Sequence, residues 1–342
     1  MKLGIIGSGK IVRMFLPKLV TVEGLEIVGL QSTERSFSSA QALCEEFGIP
    51  FVTTSFDALC ARGIDTVYVA VPNHLHYAYC KMALNKGLHV IVEKPITSNV
   101  EEAEKLAALA REKDCLIFEA VTTLYLDCYR KIAQWLPRIG QIKLVQSQFT
   151  QYSSRYDDFC NGKLAPVFDV NQSGGALMDL NVYNLNFVIG LFGGPSEAVY
   201  YPNVEREIDT SGSMMLRYPE FSAICIAGKD CKGNAFSLIQ GTKGFIRSDC
   251  PPGLICRISL ELNDGTVETY TGDADDECMI PEFTAFIKAV RDHDRELCHR
   301  QMEISLAVSR VMTRARRAAG VRFPADRIRN NFNAIRFLRM AF

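Results

Sequence analysis

The first third of the chain alternates short apolar runs with amphipathic stretches, and no other feature of the sequence limits its fold so closely. The runs are bounded by Gly, Pro or Asp, which is typical of strands buried on both faces of a parallel sheet. They lie at residues 3–6, 25–30, 66–71, 89–92 and 116–119. Because strands and helices alternate, we predict a doubly wound α/β parallel sheet of the Rossmann type over residues 1–121.

The pattern changes after this first domain. Residues 141–152 alternate apolar and polar side chains, which is typical of an antiparallel strand with one wet face. Similar stretches follow, interrupted by a helical stretch at 176–191 and closed by a helical region at 281–319. We therefore predict an α+β domain over residues 122–326, with an open, mostly antiparallel sheet and helices on one face. The basic tail, residues 327–342, is interpreted as a poorly ordered extension or as an amphipathic helix that docks on a partner.

A glycine turn, Gly7-Ser8-Gly9-Lys10-Ile11, follows the first apolar run and opens the first helical stretch. Gly7 permits a tight turn, and Gly9 lets the backbone approach a pyrophosphate. The helix N-terminus offers N–H groups and the positive end of the helix dipole to the phosphates. We predict that these five residues bind the pyrophosphate of NADP or NAD. A tight turn without a ligand is the structural alternative.

The end of the second apolar run bears on which dinucleotide is bound. An Asp or Glu at the strand tip would accept a hydrogen bond from the adenosine ribose 2′-hydroxyl. The tip carries no carboxylate, and it is followed by Ser32, Thr33 and Arg35, which are suited to hold a 2′-phosphate. The sequence thus favours NADP over NAD, although a shift of one or two residues would bring Glu34 to the ribose.

Two further segments end apolar runs and are expected to border the nicotinamide. Ligands of open α/β sheets bind beyond the carboxyl ends of the strands. The first segment comprises Val71, Pro72 and Asn73, with His76 at the start of the next helical stretch. We predict that all four residues line the cofactor site.

The second segment is Glu93-Lys94-Pro95. Lys94 stands at a strand end before a proline that fixes the backbone, so it is a candidate catalytic group. Glu93 is expected to line the cofactor site with it. An isolated lysine is ordinarily a surface charge, but the position and the neighbouring Glu and Pro argue against that interpretation here.

Three features of the sequence together resemble the Gfo/Idh/MocA family, which includes glucose–fructose oxidoreductase, inositol dehydrogenase and dimeric dihydrodiol dehydrogenase. They are the N-terminal glycine turn, the segment Pro72-Asn73-x-x-His76 with Glu93-Lys94-Pro95 after it, and Gly-Gly-Ala-Leu-Met-Asp at residues 174–179. The resemblance covers residues 2–326. It implies that Lys94 is the catalytic lysine, that the Lys94–Pro95 peptide bond is cis, and that the open sheet face is buried in a homodimer or homotetramer.

Asp179 and Tyr183 are the candidate catalytic residues of the second domain. Their four-residue spacing places both side chains on one face of a helix. The family often has His in place of Tyr183, and the tyrosine resembles the dihydrodiol dehydrogenase and glucose–fructose oxidoreductase branches. Our hypothesis is that Tyr183 removes the substrate hydroxyl proton, directly or with Lys94, while Asp179 orients Lys94 or binds a substrate hydroxyl. The structural alternatives are a tyrosine packed against the sheet and an aspartate favoured by the helix dipole.

Composition and charge argue against several classes of function. The net charge of -1 does not indicate a nucleic acid or an acidic membrane as partner, and no apolar run approaches the roughly 20 residues that span a bilayer. The 12 cysteines form no CxxC pair and the 5 histidines are scattered. We therefore expect no metal site and a reducing, cytoplasmic setting.

These features predict an enzyme that transfers a hydride between a nicotinamide and a hydroxyl-bearing carbon of a sugar, polyol or cyclic diol. The candidate Lys, Asp and Tyr side chains suit a small polyhydroxylated substrate. A dinucleotide-binding sensor or scaffold without turnover is an alternative, which would need the glycine turn but neither Lys94 nor Tyr183. A second enzymatic alternative is transient oxidation that drives elimination or glycoside cleavage.

Overall fold

The computed structural model describes residues 1–272 and 278–327, and these residues form two compact units. The first unit contains Met1–Ala120, Phe283–Met302 and the described residues from Phe323 onward, and the second contains the described residues of Val121–Glu282 together with Glu303–Arg322. The predicted tail lies outside the described residues apart from Arg327. Within the described ranges, no helix combines the length and apolarity needed to cross a bilayer.

The first unit is built on a parallel sheet with the strand order β3-β2-β1-β4-β5-β6. Each pair of neighbouring strands in this described sheet runs parallel. The strands are β1 (Lys2–Ile6), β2 (Glu26–Gln31), β3 (Val52–Thr53), β4 (Thr66–Val69), β5 (His89–Glu93) and β6 (Ile117–Ala120). The strand order reverses beside β1, as it does in a Rossmann sheet, so the predicted doubly wound fold is confirmed.

Helices connect these strands, and one helix from the far end of the chain completes the core. The connecting helices are α1 (Lys10–Leu19), α2 (Phe37–Phe47), α3 (Phe56–Cys60), α4 (His76–Asn85) and α5 (Val100–Glu112). The distant helix is α9 (Met279–Asp292), whose Phe283 and Phe286 are buried. Their rings lie 5.4 Å from that of Tyr68 and 5.0 Å from that of Phe118. Edge-to-face and tilted ring contacts at these distances stabilise the core of the unit.

The second unit is built on a sheet with the strand order β14-β13-β12-β11-β7-β10-β9-β8. The strands are β7 (Ile142–Thr150), β8 (Glu197–Glu205), β9 (Ile208–Arg217), β10 (Ser222–Gly228), β11 (Phe236–Gly241), β12 (Gly244–Ser248), β13 (Arg257–Leu262) and β14 (Val267–Thr271). β7 and β10 pair in parallel, and the other described pairs are antiparallel. The predicted open, mostly antiparallel sheet is therefore confirmed.

Burial differs between the two faces of this second sheet. In β10, Ala223, Cys225 and Ala227 are buried, whereas the side chains between them are half-exposed. Helix α8 packs against β7 and β10. The helices associated with this unit are α6 (Asp127–Trp135), α7 (Tyr156–Cys160), α8 (Val182–Phe192) and the part of α10 (Arg295–Ala318) from Glu303 onward.

A buried amide network fixes α8 on the sheet. Asn184, which is fully buried, donates from Nδ2 to the Ile226 carbonyl at 3.0 Å and to Asn181 Oδ1 at 2.8 Å. Its Oδ1 accepts a hydrogen bond from the Ser147 hydroxyl at 2.9 Å, and that hydroxyl lies 3.0 Å from the Ser237 hydroxyl. The network therefore connects the helix to β7, β10 and β11. A shift of the helix would break several of these bonds at once.

Replacing Asn184 by alanine is expected to lower the free energy of unfolding by about 1–3 kcal/mol, because buried polar partners lose their hydrogen bonds. Urea titration followed by far-UV circular dichroism measures the change. Asn161→Ala, at an exposed asparagine of the same unit, is the matched control and should change stability by less than about 0.5 kcal/mol. Equal stability of the Asn184→Ala protein and the unmodified chain would contradict the role of the network.

Candidate active site

The glycine turn after β1 has the geometry of a phosphate cradle. Gly7 has a φ of +111°, and a Cβ added there would lie 2.3 Å from the Ala70 carbonyl oxygen, so a side chain is excluded. A Cβ added at Gly9 would meet nothing within 4 Å, which leaves open space beside the backbone. Gly9 is the N-cap of α1, and its lack of a side chain leaves the first N–H groups of the helix without a side-chain cap. The residues present thus fit a dinucleotide pyrophosphate.

The other residues predicted in this turn differ in exposure. Lys10 is exposed, and Ser8 and Ile11 are half-exposed. All three therefore lie at or near the surface beside the start of α1, where a phosphate group could reach them.

The tip of β2 places polar groups where a ribose or its phosphate would lie in a Rossmann sheet. Ser32 is buried, and its hydroxyl donates to the Thr33 carbonyl at 3.2 Å. The Thr33 side chain forms a capping box with Ser36, with 2.8 Å between the two hydroxyl oxygens. Arg35 and Glu34 are both exposed in the short helical turn that follows. The guanidinium and the carboxylate are thus both accessible from solvent.

His76 connects the loop after β4 to the loop after β5. The ring is fully buried, with Nδ1 at 2.8 Å from the Pro95 carbonyl oxygen and Nε2 at 2.8 Å from the Val71 carbonyl oxygen. Burial lowers the pKa of His76 to about 4, and nearby Lys94 acts in the same direction, although the two carbonyls favour the charged ring. Both ring nitrogens therefore face the backbone. In this arrangement His76 positions the two loops.

The remaining residues of the loop after β4 lie nearer the surface. Pro72 is exposed, and Val71 and Asn73 are half-exposed. These three residues therefore remain accessible to a ligand at the carboxyl end of the sheet.

Buried groups surround the backbone on both sides of Lys94. Glu93 is buried and accepts a hydrogen bond from the hydroxyl of Tyr68, a residue of the adjacent strand β4. Two residues beyond Lys94, the Ile96 N–H donates to Glu119 Oε1 at 2.8 Å. The Lys94–Pro95 peptide bond is cis, as the family resemblance implied. Lys94 itself is half-exposed, so its side chain remains reachable while the backbone around it is held.

In the second unit, Asp179 forms an ion pair with a lysine that the sequence analysis missed. Lys229 follows β10 directly, and its Nζ contacts Asp179 Oδ2. The Lys229 side chain is 7% exposed and that of Asp179 is 33% exposed. The ammonium therefore lies beneath the carboxylate, which is the more accessible partner. A lysine at the end of an otherwise uncharged strand was the signal that could have identified it.

The helix that carries the two predicted catalytic residues is less regular than their spacing suggested. Asp179 lies in a π-helical turn, Leu177–Asn181, and the α-helix begins only at Val182. Single π turns widen a helix locally and are frequent at functional sites.

The Tyr183 ring is held against a turn of the second unit. A Cβ added at Gly253 would lie 2.8 Å from Tyr183 Cε1, so the ring rests directly on the glycine backbone. The Gly253 carbonyl accepts a hydrogen bond from the Thr122 hydroxyl at 2.8 Å. The centroids of the Phe149 and Tyr183 rings lie 6.1 Å apart. Tyr183 remains half-exposed. Its ring is therefore positioned by packing while part of the side chain stays accessible.

Among the residues that the structure describes, no group of three or more His, Cys, Asp or Glu side chains is arranged to hold a metal ion.

Two family models match the chain. One, described as an oxidoreductase family with an NAD-binding Rossmann fold, matches residues 1–121. The other, the GFO/IDH/MocA C-terminal domain, matches residues 129–247. Together they cover well over half of the chain.

The chain is also similar to characterised proteins over nearly its whole length. Scyllo-inositol 2-dehydrogenase (NADP(+)) of Bacillus subtilis is 29% identical, across 95% of this chain and 99% of its own. Trans-1,2-dihydrobenzene-1,2-diol dehydrogenase of Mus musculus is 23% identical, across 95% and 98%. A solved 3-ketoreductase of Actinomadura kijaniata, in complex with TDP-benzene and NADP, is 26% identical with a TM-score of 0.77, across 92% of this chain and 97% of the reductase.

Replacing His76 by leucine removes the connection between the Val71 and Pro95 carbonyls and should displace the backbone that carries Lys94. We expect dinucleotide-dependent turnover to fall by about 10²-fold, because small misplacements of a reacting group have effects of that size. Steady-state kinetics measure the change. His74→Leu, at an exposed histidine two residues away, is the matched control. Full turnover in the His76→Leu protein would show that the connection does not position Lys94.

Proposed function

The chain belongs to the Gfo/Idh/MocA oxidoreductase family, and from that premise we propose that it transfers a hydride between a bound nicotinamide and a hydroxyl-bearing carbon of a small substrate. Family membership confirms the class predicted from the sequence, an NAD(P)-dependent dehydrogenase acting on CH–OH groups. The observation that carries the proposal is the held position of Lys94 at the carboxyl end of β5. The open glycine turn follows β1, which is separated from β5 by one strand. Dinucleotides bind at this edge of such sheets.

NADP(H) is the cofactor that we favour over NAD(H). The strand tip at Gln31 carries no carboxylate, and the exposed Arg35 and the buried Ser32 follow it. A guanidinium suits a 2′-phosphate because it donates several charge-assisted hydrogen bonds. The named inositol dehydrogenase uses NADP(+), and the solved reductase holds NADP. When bound, the nicotinamide supplies or accepts the hydride.

The roles of the cofactor residues follow from their surroundings. The turn from Gly7 to Ile11 binds the pyrophosphate through backbone N–H groups and the helix N-terminus. The loops after β4 and β5 border the nicotinamide. His76 contributes by positioning these two loops, because its ring nitrogens face the Pro95 and Val71 carbonyl oxygens.

Oxidation of an alcohol also needs a group that removes the hydroxyl proton, and we assign this role to Tyr183. Its ring is held by Gly253 and Phe149 while the side chain stays half-exposed. The Lys94 ammonium would stabilise negative charge that develops on the substrate oxygen. In the reductive direction the same groups return the proton.

The Asp179–Lys229 pair supports a substrate rich in hydroxyl groups. The carboxylate is the exposed member and accepts hydrogen bonds, while the buried ammonium offsets its charge from beneath. An ionised carboxylate held in this way binds a hydroxyl donor through a charge-assisted hydrogen bond. We therefore propose that Asp179 binds a hydroxyl of a sugar, polyol or cyclic diol. Lys229 acts through Asp179 as a positioning residue.

The open face of the second sheet supports self-association. Cross-strand register places Val199, Met215, Ile224 and Leu238 in one row across that face, with Gln146 between the last two. Val199 and Met215 are each 48% exposed. Because such apolar faces are usually buried between subunits, we propose a homodimer or homotetramer. The 12 cysteines, none of them in a CxxC pair, suit a reducing compartment, so we also propose that the protein acts in the cytoplasm. Light scattering at micromolar concentration should give a multiple of the monomer mass, and a monomer alone would contradict the assembly.

Arg35→Ala should weaken NADPH binding by roughly tenfold and leave NADH binding unchanged, because only NADPH carries the 2′-phosphate that the guanidinium contacts. Titration followed by nicotinamide fluorescence measures both affinities. Glu34→Gln, at the adjacent exposed position, is the matched control for NADPH binding. Equal losses for the two dinucleotides would remove the assignment of Arg35 to the phosphate.

Tyr183→Phe keeps the ring against Gly253 and removes the hydroxyl. Turnover should fall by about 10²–10⁴-fold, the usual size of general acid–base catalysis, while the dissociation constant for NADPH stays unchanged. Turnover is measured with an inositol or a cyclic diol as substrate, and the dissociation constant for NADPH is measured by fluorescence titration. Tyr201→Phe, at an exposed tyrosine of β8, is the control. Unchanged turnover in the Tyr183→Phe protein would exclude the proposed role.

A further inference from the structure

Two thiols face each other across the turn that supports Tyr183. Cys250 and Cys256 lie between β12 and β13, and their Sγ atoms are 3.4 Å apart. Both side chains are half-exposed, so a small oxidant can reach them. The intervening residues include Pro251 and Pro252, whose rings restrict the backbone and favour a single turn conformation. The pair is therefore held close by the fold.

The turn between the two thiols is the one on which the Tyr183 ring rests. Gly253 lies at its centre, so close to the ring that an added Cβ would be 2.8 Å from Cε1. Its carbonyl is also held by the Thr122 hydroxyl at 2.8 Å. A displacement of the turn would therefore be transmitted to Tyr183.

We propose that Cys250 and Cys256 form a reversible disulfide, and that its formation displaces the turn beneath Tyr183. The sulfurs of a disulfide are about 2.05 Å apart. The two Sγ atoms must therefore approach by roughly 1.4 Å from their present separation of 3.4 Å. That movement tightens the turn. Gly253, at the centre of the turn, already packs directly against the Tyr183 ring and has no free space on that side. The functional part of this proposal rests on the role given to Tyr183 above.

The oxidant is a hydroperoxide, and the reaction balances as follows. One thiolate attacks a peroxide oxygen, the O–O bond breaks, hydroxide leaves, and a sulfenic acid forms. The second thiolate attacks that sulfur, the S–O bond breaks, and a second hydroxide leaves as the S–S bond forms. The two hydroxides take up the two protons that the thiols released. The sulfurs lose two electrons, and one hydrogen peroxide is reduced to two waters.

Three buried thiols of the chain, Cys44, Cys80 and Cys225, are less suited to this reaction. Cys80 and Cys225 are fully buried, and burial raises the pKa of each thiol. Burial also raises the pKa of Cys44 to about 11. The thiolate is the reacting form, so these groups react slowly near neutral pH.

The sequence offers a direct test with the full-length protein. Trypsin cleaves after Arg247 and Arg257 and releases residues 248–257, which contain both cysteines. After treatment with hydrogen peroxide and blocking with iodoacetamide, this peptide should be lighter than its reduced form by two hydrogen atoms and carry no alkyl group. Dithiothreitol should restore two alkylation sites. Oxidation at the exposed Cys160 or Cys231 shows that the oxidant reached the protein.

Two further readouts test the connection to Tyr183. Turnover should fall by about tenfold or more on oxidation and return with dithiothreitol, since a displacement near 1 Å can cost that much. Amide hydrogen exchange in the segment that contains Tyr183 should also change, and this readout does not need turnover. Cys256→Ser should keep its basal activity and resist peroxide, whereas Cys231→Ser should remain sensitive.

Full alkylation of peptide 248–257 after Cys160 or Cys231 has been oxidised would overturn the proposal. A disulfide that leaves both turnover and exchange at Tyr183 unchanged would also overturn it. If the reduced protein shows no turnover, the proposed function fails by itself. The peptide mass then still tests whether the disulfide forms, and the hydrogen exchange still tests whether its formation displaces the turn at Tyr183.

Discussion

The position of Lys94 depends on buried polar contacts that hold the backbone on both sides of it. Tyr68 donates to Glu93, Glu119 accepts the Ile96 N–H, and His76 faces the Pro95 carbonyl. Leaving one such buried group unsatisfied costs about 1–3 kcal/mol, so each contact opposes movement of the loop. The half-exposed lysine side chain is thereby presented from a rigid support at the edge of the sheet, as preorganised catalytic groups require.

The second unit uses the same arrangement for its own candidate groups. Asp179 is supported from beneath by the buried Lys229, and the Tyr183 ring rests on the Gly253 backbone. The helix that carries Tyr183 is fixed to three strands through Asn184. In both units, the candidate site side chains are partly exposed, and buried polar groups hold the elements that carry them. This explains why buried polar residues, such as His76 and Asn184, are expected to influence function or stability.

The sequence predicted the parts of this structure that depend on local pattern. The parallel sheet followed from the alternation of apolar runs. The phosphate-binding turn followed from Gly7, which permits a tight turn, and from Gly9, which lets the backbone approach a pyrophosphate. The two-residue strand β3, Val52–Thr53, was missed because so short a run has no periodicity. Asp179 and Lys229 are 50 positions apart in sequence, so the strand-end position could single out the lysine but could not show that Asp179 is its partner. Likewise, the sequence motif placed His76 at the cofactor site, but its ring faces the Val71 and Pro95 carbonyls, and Pro95 lies 19 positions away in the loop after the next strand.

The most direct test compares the unmodified chain with its Lys94→Ala variant. Binding of NADPH is measured by nicotinamide fluorescence, and NADP(+)-dependent oxidation is measured on inositols, aldoses and cyclic diols. The account predicts that both proteins bind NADPH with similar affinity and that only the unmodified chain turns over a polyhydroxylated substrate. Absence of dinucleotide binding by the unmodified chain, or equal turnover by both proteins, would contradict it.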